Sequence, residues 1–393
     1  MNILLICHSV GDANIIIQTA RKLSEKEAAN IHLLVIGQAA KNRVEAEKFS
    51  KNIKVTYLNE ILQKPFSDFD NRPLNEEEFS QVVDCLDSWK IDSALIGTPS
   101  LNDAGAPFQI AAYLAERLQH GLFYNDYLFY EEKHLYWKKI AEKGWTEKYR
   151  WLLPLPQAQK KFKEKNLDLK TEVVGHLALA AIRENKEDSN KLRSGLQDNS
   201  QNRLVFISGG KSVKEDLQLL SAITEALKEK RFSNIDVRIG LHPGLVSKDL
   251  NDYLTKMVQH LLQNPVKNSI QFIIDPSKRE SILNQLTNPE ISLDLNQTER
   301  FFRPVQIRGD QAAAAADGVA CFVPATLVTQ AAAQGKFAAC YKGEPYLTAG
   351  ITIGANMTGF FNQVSETKKS SKAGIPELAL NPAQLMASML TPS

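Results

Sequence analysis

WLLPLPQAQKKFKEKNLDLKTEVVGHLAL, residues Trp151–Leu179, predicts a strand, a helix and a second strand in succession. A short apolar run closed by prolines, Leu152–Pro156, precedes a charged segment that favours a helix. The β-branched pair Val173-Val174 then ends on Gly175-His176. This order is typical of nucleotide-binding-type domains, and we expect the stretch to mark the crossing from one such domain into another.

Short apolar runs alternate with helical patterns on both sides of this stretch. The strand candidates before it are Ile3–Cys7, Ile31–Ile36, Val55–Leu58 and Ala94–Ile96, with a helix predicted from about Ala13 to Glu27. The candidates after it are Leu204–Ile207, Val237–Ile239, Ile270–Ile274, Val319–Val323 and Phe337–Tyr341. Repeated β-α-β order implies parallel sheets with helices on both faces and ligands beyond the carboxyl ends of the strands.

The length of 393 residues fits two domains best. We predict a first domain over residues 1–175, a linker region over 176–202, a second domain over 203–375 and a C-terminal helix or tail over 376–393. The linker prediction depends on Glu184–Asn202, which is rich in Asn, Ser and charge and poor in apolar residues. The tail has a helical pattern, and a last helix of this kind often packs back on the first domain.

Composition indicates an ordinary globular protein, with 43% hydrophobic and 23% charged residues and a net charge of +2 that gives no electrostatic footprint for nucleic acid. The four cysteines lack C-x-x-C spacing, which argues against a zinc site and a disulfide scaffold. The sequence contains no run of about 18 apolar residues, so we predict no transmembrane segment. We expect a cytoplasmic protein. Aromatic residues in Gly121–Tyr130 and at Phe360-Phe361 leave peripheral membrane contact open, although buried core is the favoured interpretation.

The opening stretch resembles the inter-domain segment of the lipid-A-disaccharide synthase family. The similarity lies in Leu153-Pro154 followed by Val174-Gly175-His176, and Leu177 stands where that family has proline. The resemblance covers most of the chain. It implies an α/β fold of GT-B architecture, in which two Rossmann-like doubly wound parallel-sheet domains face a central cleft.

The loop after the first strand contains candidate catalytic residues. Gly11 permits a tight turn, and the amino end of the following helix offers N–H groups to an anion or a sugar hydroxyl. The pair Gly11-Asp12 resembles the S-G-D of the family's first loop. Asp12 is either the N-cap of the helix or a ligand contact, and both roles can coexist. His8 is a candidate general base or a structural residue, and Ser9 and Gly11 are expected to line the acceptor side of the cleft.

A second loop, Ile96–Asp103, resembles the I-D-A-P-D-F-N segment of the family. Its proline and Asn102 are preserved, whereas Gly97 and Ser100 replace both family carboxylates. This difference argues against lipid A disaccharide synthesis itself. Asp103 is the third catalytic candidate, and Ser100 and Asn102 are candidates for the acceptor cleft. A structural turn is the alternative interpretation.

The first ligand candidates of the second domain are Gly209, Gly210 and Lys211, in a segment that resembles P-G-S-R-x-x-E. Glycines and a cation at a helix amino terminus suit a diphosphate, although lysine lacks the bidentate fork of arginine. The spacing does not match a Walker motif. A strand-to-helix turn without a ligand is an equal alternative. His242 follows another strand and either is structural or lines the cleft.

The stretch Gly309–Tyr341 resembles the nucleotide-sugar-binding layout of GT-B glycosyltransferases. The family's S-G-T-x-x-x-E reads here as Pro324-Ala325-Thr326, with Gln330 in the glutamate position. Helix N–H groups near Ala325 and Thr326 can hold a pyrophosphate, and Gln330 can hydrogen-bond a ribose hydroxyl. No His/Asp/Glu group has metal spacing, so we expect a metal-independent reaction without a cofactor.

These features predict a glycosyltransferase that moves a sugar from a nucleoside-diphosphate sugar, with UDP as the expected nucleotide, to an unidentified acceptor hydroxyl. A lipid and a glycan both stay open as the acceptor. Two alternatives remain open. One is a catalytically degenerate GT-B protein that binds a sugar, lipid or protein, because carboxylates are absent at Gly97, Ser100 and Gln330. The other is a nucleotide-sugar epimerase or hydrolase on the same fold.

Overall fold

A computed structural model describes residues 1–25, 29–69, 72–97, 105–118, 121–129, 142, 144–165, 169–180, 189–242, 245, 247–287, 293–348, 350–366 and 380–391. The chain divides into two compact units. The first contains Met1–Ala180 together with Pro376–Ser393, and the second contains Ala181–Ile375.

The first unit is built on a seven-stranded sheet in the order β3-β2-β1-β4-β5-β6-β7. All neighbouring strands are parallel. The strand order reverses between β1 and β4, and this switch point is where open α/β sheets bind ligands, beyond the carboxyl ends of the strands. The strands are β1 (Asn2–Cys7), β2 (Asn30–Val35), β3 (Ile53–Tyr57), β4 (Ser93–Gly97), β5 (Gly121–Tyr124), β6 (Tyr149–Leu153) and β7 (Thr171–Val173).

Helices connect these strands and bury their apolar faces against the sheet. One face is covered by the first helix and by the last helix of the chain, whose Met386 and Ala387 pack in the same core as Ile15 and Ile16. Ser93 Oγ donates to the backbone carbonyl of Leu390 at 3.3 Å in this layer. The helices of the first unit are α1 (Val10–Ser24), α2 (Gln38–Glu45), α3 (Leu58–Leu62), α4 (Glu76–Trp89), α5 (Ala106–Ala115), α6 (Pro156–Glu164), α7 (Leu177–Ala180) and, from the end of the chain, α16 (Pro382–Leu390).

The second unit repeats the same topology with a parallel sheet in the order β11-β10-β9-β8-β12-β13-β14. Its switch point lies between β8 and β12. The prediction of two Rossmann-like doubly wound parallel sheets is therefore confirmed. The strands are β8 (Arg203–Ser208), β9 (Ile235–Gly240), β10 (Ile270–Ile274), β11 (Phe302–Pro304), β12 (Gly318–Cys321), β13 (Phe337–Cys340) and β14 (Ile351–Ile353).

Part of the segment predicted as a linker is folded onto the second sheet. Residues 181–188 lie outside the described residues, and the next residues form a helix whose Arg193 pairs with Asp317 at 2.5 Å. Asp198 pairs with the fully buried Arg238 at 3.0 Å. The helices of the second unit are α8 (Ser189–Leu196), α9 (Val213–Leu227), α10 (Ser247–Gln263), α11 (Arg279–Leu286), α12 (Leu295–Thr298), α13 (Gly309–Ala315), α14 (Thr326–Ala333) and α15 (Met357–Glu366).

Most of the described aromatic residues that left membrane contact open are buried, whereas Tyr127 and Phe129 are partly exposed. Phe123 in β5 is buried and stacks on Trp151 with ring centroids 5.0 Å apart. Phe360 and Phe361 are fully buried in the second unit. Among the described residues, no helix combines the length and the apolar character needed to cross a membrane.

Candidate functional site

The loop between β1 and α1 is held by a capping box that centres on Asp12. Ser9 is the N-cap, and Asp12 is the third helical residue, so the expectation that Asp12 is the N-cap is wrong. Asp12 Oδ1 accepts hydrogen bonds from the backbone N–H of Ser9 at 2.7 Å and from Ser9 Oγ at 2.8 Å. Asp12 Oδ2 accepts the backbone N–H of His8 at 2.9 Å. The helix starts earlier than predicted because this box satisfies the N–H groups of its first turn.

Asp12 lies over the end of β4. A Cβ built on Gly97 would stand 2.5 Å from Asp12 Oδ2, so a side chain at residue 97 and the Asp12 carboxylate cannot share this space. The carboxylate over the end of β4 thus comes from the first turn of α1. Asp12 is completely buried, and this burial raises its pKa, against the hydrogen bonds from His8 and Ser9 that lower it.

A second carboxylate, Asp126, follows β5 and lies beside the same loop. A Cβ on Gly11 would overlap Asp126 Oδ2, which brings this carboxylate against the start of α1. Asp126 is partly exposed, unlike Asp12. Burial of its carboxyl group and the nearby charge of Asp12 raise the pKa of Asp126 to about 7.

The predicted motif residue His176 holds the loop that contains Asp126. Its Nδ1 accepts the backbone N–H of Ala178 at 3.1 Å, so Nε2 carries the proton and donates to the backbone carbonyl of Asp126 at 2.9 Å. Burial lowers the pKa of His176 to about 4, and the ring is neutral at pH 7. Gly175, with a φ of 91°, provides the turn from β7 into this position.

Four of the predicted residues of the first unit therefore lie together at the carboxyl edge of the sheet: His8, Ser9, Gly11 and Asp12. His8 is 7% exposed, immediately after β1. Ser100, Asn102 and Asp103 lie outside the described residues. Asp126 was not predicted, because its surrounding aromatic run suggested a core segment. The signal that could have found it is a carboxylate two residues after an apolar run, at the edge where parallel strands end.

The second unit contains a cavity of about 640 Å³ at the carboxyl ends of β8, β9 and β10. This volume lies within the range of sites for drug-sized ligands. Most of the wall is apolar, with Ile273, Ile274 and Leu327 among its residues. Its charged residues are Lys278, Arg308, which pairs with Asp310 at 2.9 Å, and Asp275. Gly209 and His242 line the cavity, as two of the predicted nucleotide-binding residues.

The glycine turn after β8 uses its own N–H groups internally. Gly209 donates to the backbone carbonyl of Gly240 at 2.9 Å, and Gly210 donates to Asp216 Oδ2 at 2.7 Å. The Tyr253 hydroxyl donates to the same Asp216 oxygen at 2.7 Å. Both Asp216 and Tyr253 are buried, and burial raises the pKa of Asp216. These contacts account for the glycines without a phosphate, because they let the turn pack closely on β9.

Lys211 is exposed and follows this turn directly. Burial, and secondarily the charge of Lys211, lowers the pKa of His242. A cation and an imidazole thus lie close to each other at the rim of the cavity. This geometry leaves Lys211 available to an anionic ligand, whereas the N–H groups of Gly209 and Gly210 are already engaged.

Helix α14 begins at Thr326, as predicted, and its N-cap Ala325 has no side-chain cap. Ala325, Thr326 and Gln330 are partly exposed, and the intervening Leu327 lines the cavity. The uncapped first turn offers backbone N–H groups to an anion, since the first N–H groups of a helix have no partner within it. Gln330 lies one helical turn further along the same helix. The described residues contain no group of three or more His, Cys, Asp or Glu side chains that could hold a metal ion.

Comparison with solved structures relates this geometry to known proteins. No protein-family profile matches the chain, and no curated protein sequence does so. The UDP-GlcNAc 2-epimerase of Methanocaldococcus jannaschii matches with a TM-score of 0.59 and 11% identity over 99% of both chains. A glycosyltransferase of Rickettsia africae matches with a TM-score of 0.57 and 10% identity, over 99% of this chain and 92% of that one.

A third similar structure is that of S. aureus MnaA with UDP, at a TM-score of 0.57 and 9% identity, over 99% of this chain and 95% of that one. Together with the two parallel seven-stranded sheets, these similarities confirm the predicted GT-B fold class. At such identities they establish the fold alone. The resemblance to the lipid-A-disaccharide synthase family stays a prediction.

Proposed function

We propose that this protein is a glycosyltransferase that moves a sugar from a nucleoside-diphosphate sugar, with UDP as the nucleotide, to a hydroxyl of an acceptor bound by the first unit. The observation that carries the proposal is the cavity of about 640 Å³ at the carboxyl ends of β8, β9 and β10. A nucleoside fits a cavity of this size, and its apolar wall suits the faces of a base.

In this proposal the donor diphosphate binds at the uncapped start of α14, with Lys211 and the positive side chains of the cavity rim offsetting its charge. Helix N–H groups and cations stabilise a diphosphate leaving group without a metal ion. Gln330 contacts a ribose hydroxyl. His8, Asp12 and Asp103 remain the sequence candidates for the proton acceptor, and Ser9, Gly11, Ser100 and Asn102 those for acceptor binding.

A nucleotide-sugar epimerase or hydrolase is the second candidate. The observation that favours it is the structural similarity to the UDP-GlcNAc 2-epimerase of Methanocaldococcus jannaschii, which covers 99% of both chains. The products separate the two reactions, because a transferase needs an acceptor whereas an epimerase or hydrolase converts the donor alone.

The test is calorimetric titration of the whole protein with UDP, UDP-N-acetylglucosamine, GDP and ADP. Micromolar binding of UDP with weaker binding of GDP and ADP is the expected result. Incubation of the bound donor without acceptor then distinguishes a converted sugar from an intact one. If none of the four nucleotides binds, the transferase and epimerase proposals both fail, and a binding protein without catalysis is the better explanation.

A further inference from the structure

We propose that Asp126 accepts the proton of the acceptor hydroxyl, and that Asp12 positions the loop and does not exchange protons with the substrate. This inference rests on the proposed sugar transfer. It concerns only the carboxyl edge of the first sheet, where Asp126 Oδ2 lies against Gly11 and Asp12 Oδ2 lies against Gly97.

Asp12 is poorly placed to take a proton from a substrate. Its side chain is completely buried, and its two oxygens accept three hydrogen bonds from His8 and Ser9. Protonating Asp12 would remove an acceptor that the capping box uses. A carboxyl group whose oxygens accept backbone N–H groups is fixed in place, which suits positioning of the loop and the start of α1.

Asp126 has the opposite surroundings. The residue is partly exposed, so a hydroxyl can approach it, and its Oδ2 lies against Gly11 in the first turn of α1. Its backbone is fixed on two sides: Asn125 N–H donates to the Leu152 carbonyl at 3.0 Å, and His176 Nε2 donates to the Asp126 carbonyl at 2.9 Å. A general base needs this combination of access and fixed position.

The charges around Asp126 also suit proton exchange near neutral pH. Burial and the buried carboxylate of Asp12 disfavour its ionised form and raise its pKa to about 7. His176, whose pKa is lowered to about 4, is neutral and does not compete for the proton. The neighbouring Tyr124 is fully buried, and its pKa is raised well above the usual value, so it stays protonated. A base whose pKa lies near the working pH is the most effective one.

The chemical step follows directly. The acceptor oxygen forms a bond to the anomeric carbon of the donor sugar, while the bond from that carbon to the diphosphate oxygen breaks and its electron pair leaves with UDP. The hydroxyl proton passes to the Asp126 carboxylate. Asp126 then returns the proton to solvent through its exposed side.

The experiment compares Asp126→Asn, Asp126→Glu and the control Asp84→Asn, which changes an exposed aspartate on α4. UDP binding is measured by calorimetry, and release of UDP from UDP-N-acetylglucosamine, UDP-glucose and UDP-galactose is measured from pH 5 to 9 with water as acceptor. We expect Asp126→Asn to lower UDP release by about 100-fold or more, within the usual contribution of a general base. UDP binding should change less than about twofold, and Asp126→Glu should restore part of the rate.

Carbon-13 NMR of aspartate-labelled protein supplies a readout that does not depend on the reaction. One carboxyl should titrate near pH 7 in the wild type and in Asp84→Asn, and its signal should be absent in Asp126→Asn. The rate should fall at low pH with the same midpoint. Failure of the wild type to bind UDP would refute the proposed function, and the NMR titration would still test Asp126 separately.

Two results would overturn the assignment of Asp126. The first is a rate for Asp126→Asn equal to that of Asp84→Asn. The second is an Asp126 carboxyl that titrates below about pH 5, the ordinary range for aspartate. If the wild type binds UDP and releases none with water as acceptor, the NMR titration decides.

Discussion

His176 donates a hydrogen bond of 2.9 Å to the backbone carbonyl of Asp126, and the two side chains have opposite shifts in pKa. Burial lowers the pKa of His176 to about 4, whereas burial and Asp12 raise that of Asp126 to about 7. Between these values the folded protein holds the proton on the carboxyl, and the unfolded chain holds it on the imidazole. The two effects on stability therefore oppose each other.

Removing either group should expose the pH dependence of the other. In Asp126→Asn, His176 remains, and its lowered folded pKa means that its contribution is present above pH 6.5 and lost as the pH falls to 4. The free energy of unfolding of this variant should therefore rise by up to about 3 kcal/mol as the pH increases over that window, a rise that Asp126 offsets in the wild type. In His176→Gln, Asp126 remains, with a raised folded pKa.

The stability that Asp126 contributes is present below pH 4 and lost as the pH rises through 7, so the slope for His176→Gln should have the opposite sign. Urea unfolding at half-unit steps from pH 4 to 8 measures both slopes. Equal slopes in the two variants would contradict the opposed shifts.

Gly97→Ala should destabilise the first unit. The new Cβ would stand 2.5 Å from Asp12 Oδ2 and would push the carboxylate away from the N–H groups of His8 and Ser9. We expect a loss of about 1–3 kcal/mol in the free energy of unfolding, as for overpacked cores. Gly195→Ala is the matched control, because a Cβ there meets nothing within 4 Å. A Gly97→Ala protein as stable as this control would show that the Asp12 loop moves freely.

Tyr253→Phe should loosen the glycine turn of the second unit. The variant removes the hydroxyl that donates to Asp216 Oδ2 at 2.7 Å and leaves a buried carboxylate with one partner fewer. The expected cost is about 1–3 kcal/mol, measured by chemical denaturation. Tyr113→Phe is the control, since the Tyr113 hydroxyl donates to the exposed Asp87. A cost no greater than that of the control would argue against a structural function of the Asp216–Tyr253 pair.

Three variants test how the proposed donor diphosphate is bound. Thr326→Ala removes only a hydroxyl, whereas Thr326→Pro removes the backbone N–H and keeps the helix, because proline is tolerated at the first helical position. The extended backbone of Ala325 is compatible with a following proline. Thr326→Pro should weaken UDP binding about tenfold and Thr326→Ala less, since charge-assisted bonds to a phosphate contribute most.

Lys211→Ala should also weaken UDP binding, and more so at low ionic strength, where charge interactions are less screened. Calorimetry at two salt concentrations measures each affinity. If the affinity for UDP is unchanged in Thr326→Pro and Lys211→Ala, then neither Thr326 nor Lys211 binds the donor diphosphate. The apolar cavity is then the next part of the proposed donor site to test.

Long apolar runs explain why much of the fold was predictable. Strands such as β1 and β10 are buried on both faces of a parallel sheet, so nearly every residue is apolar and the run stands out. The edge strands β11 and β14 have only three residues each and carry no such signal. β5 (Gly121–Tyr124) was missed for another reason, because Phe123 and Tyr124 belong to an aromatic run that was interpreted as a cluster and not as a strand.

The site residues were less predictable because several depend on contacts between distant segments. The capping role of Ser9 is a local feature, because the spacing of Ser9 and Asp12 alone predicts a capping box. The proximity of Asp126 to Gly11 depends on the pairing of β4 with both β1 and β5, which no local pattern contains. Similarly, Asp216 accepts a hydrogen bond from Gly210, which is only six residues earlier in the sequence. Its second donor, Tyr253, lies on α10 and is distant in sequence.

The packing of α16 against α1 has a consequence for synthesis of the protein on the ribosome. The face of the first sheet that α16 covers, with Met386 and Ala387 in its core, stays uncovered until about 200 further residues have been translated after Ala180. At the usual rate of translation this takes roughly 10 to 40 s. During that time the first unit exposes an apolar surface that its own last helix has not yet covered.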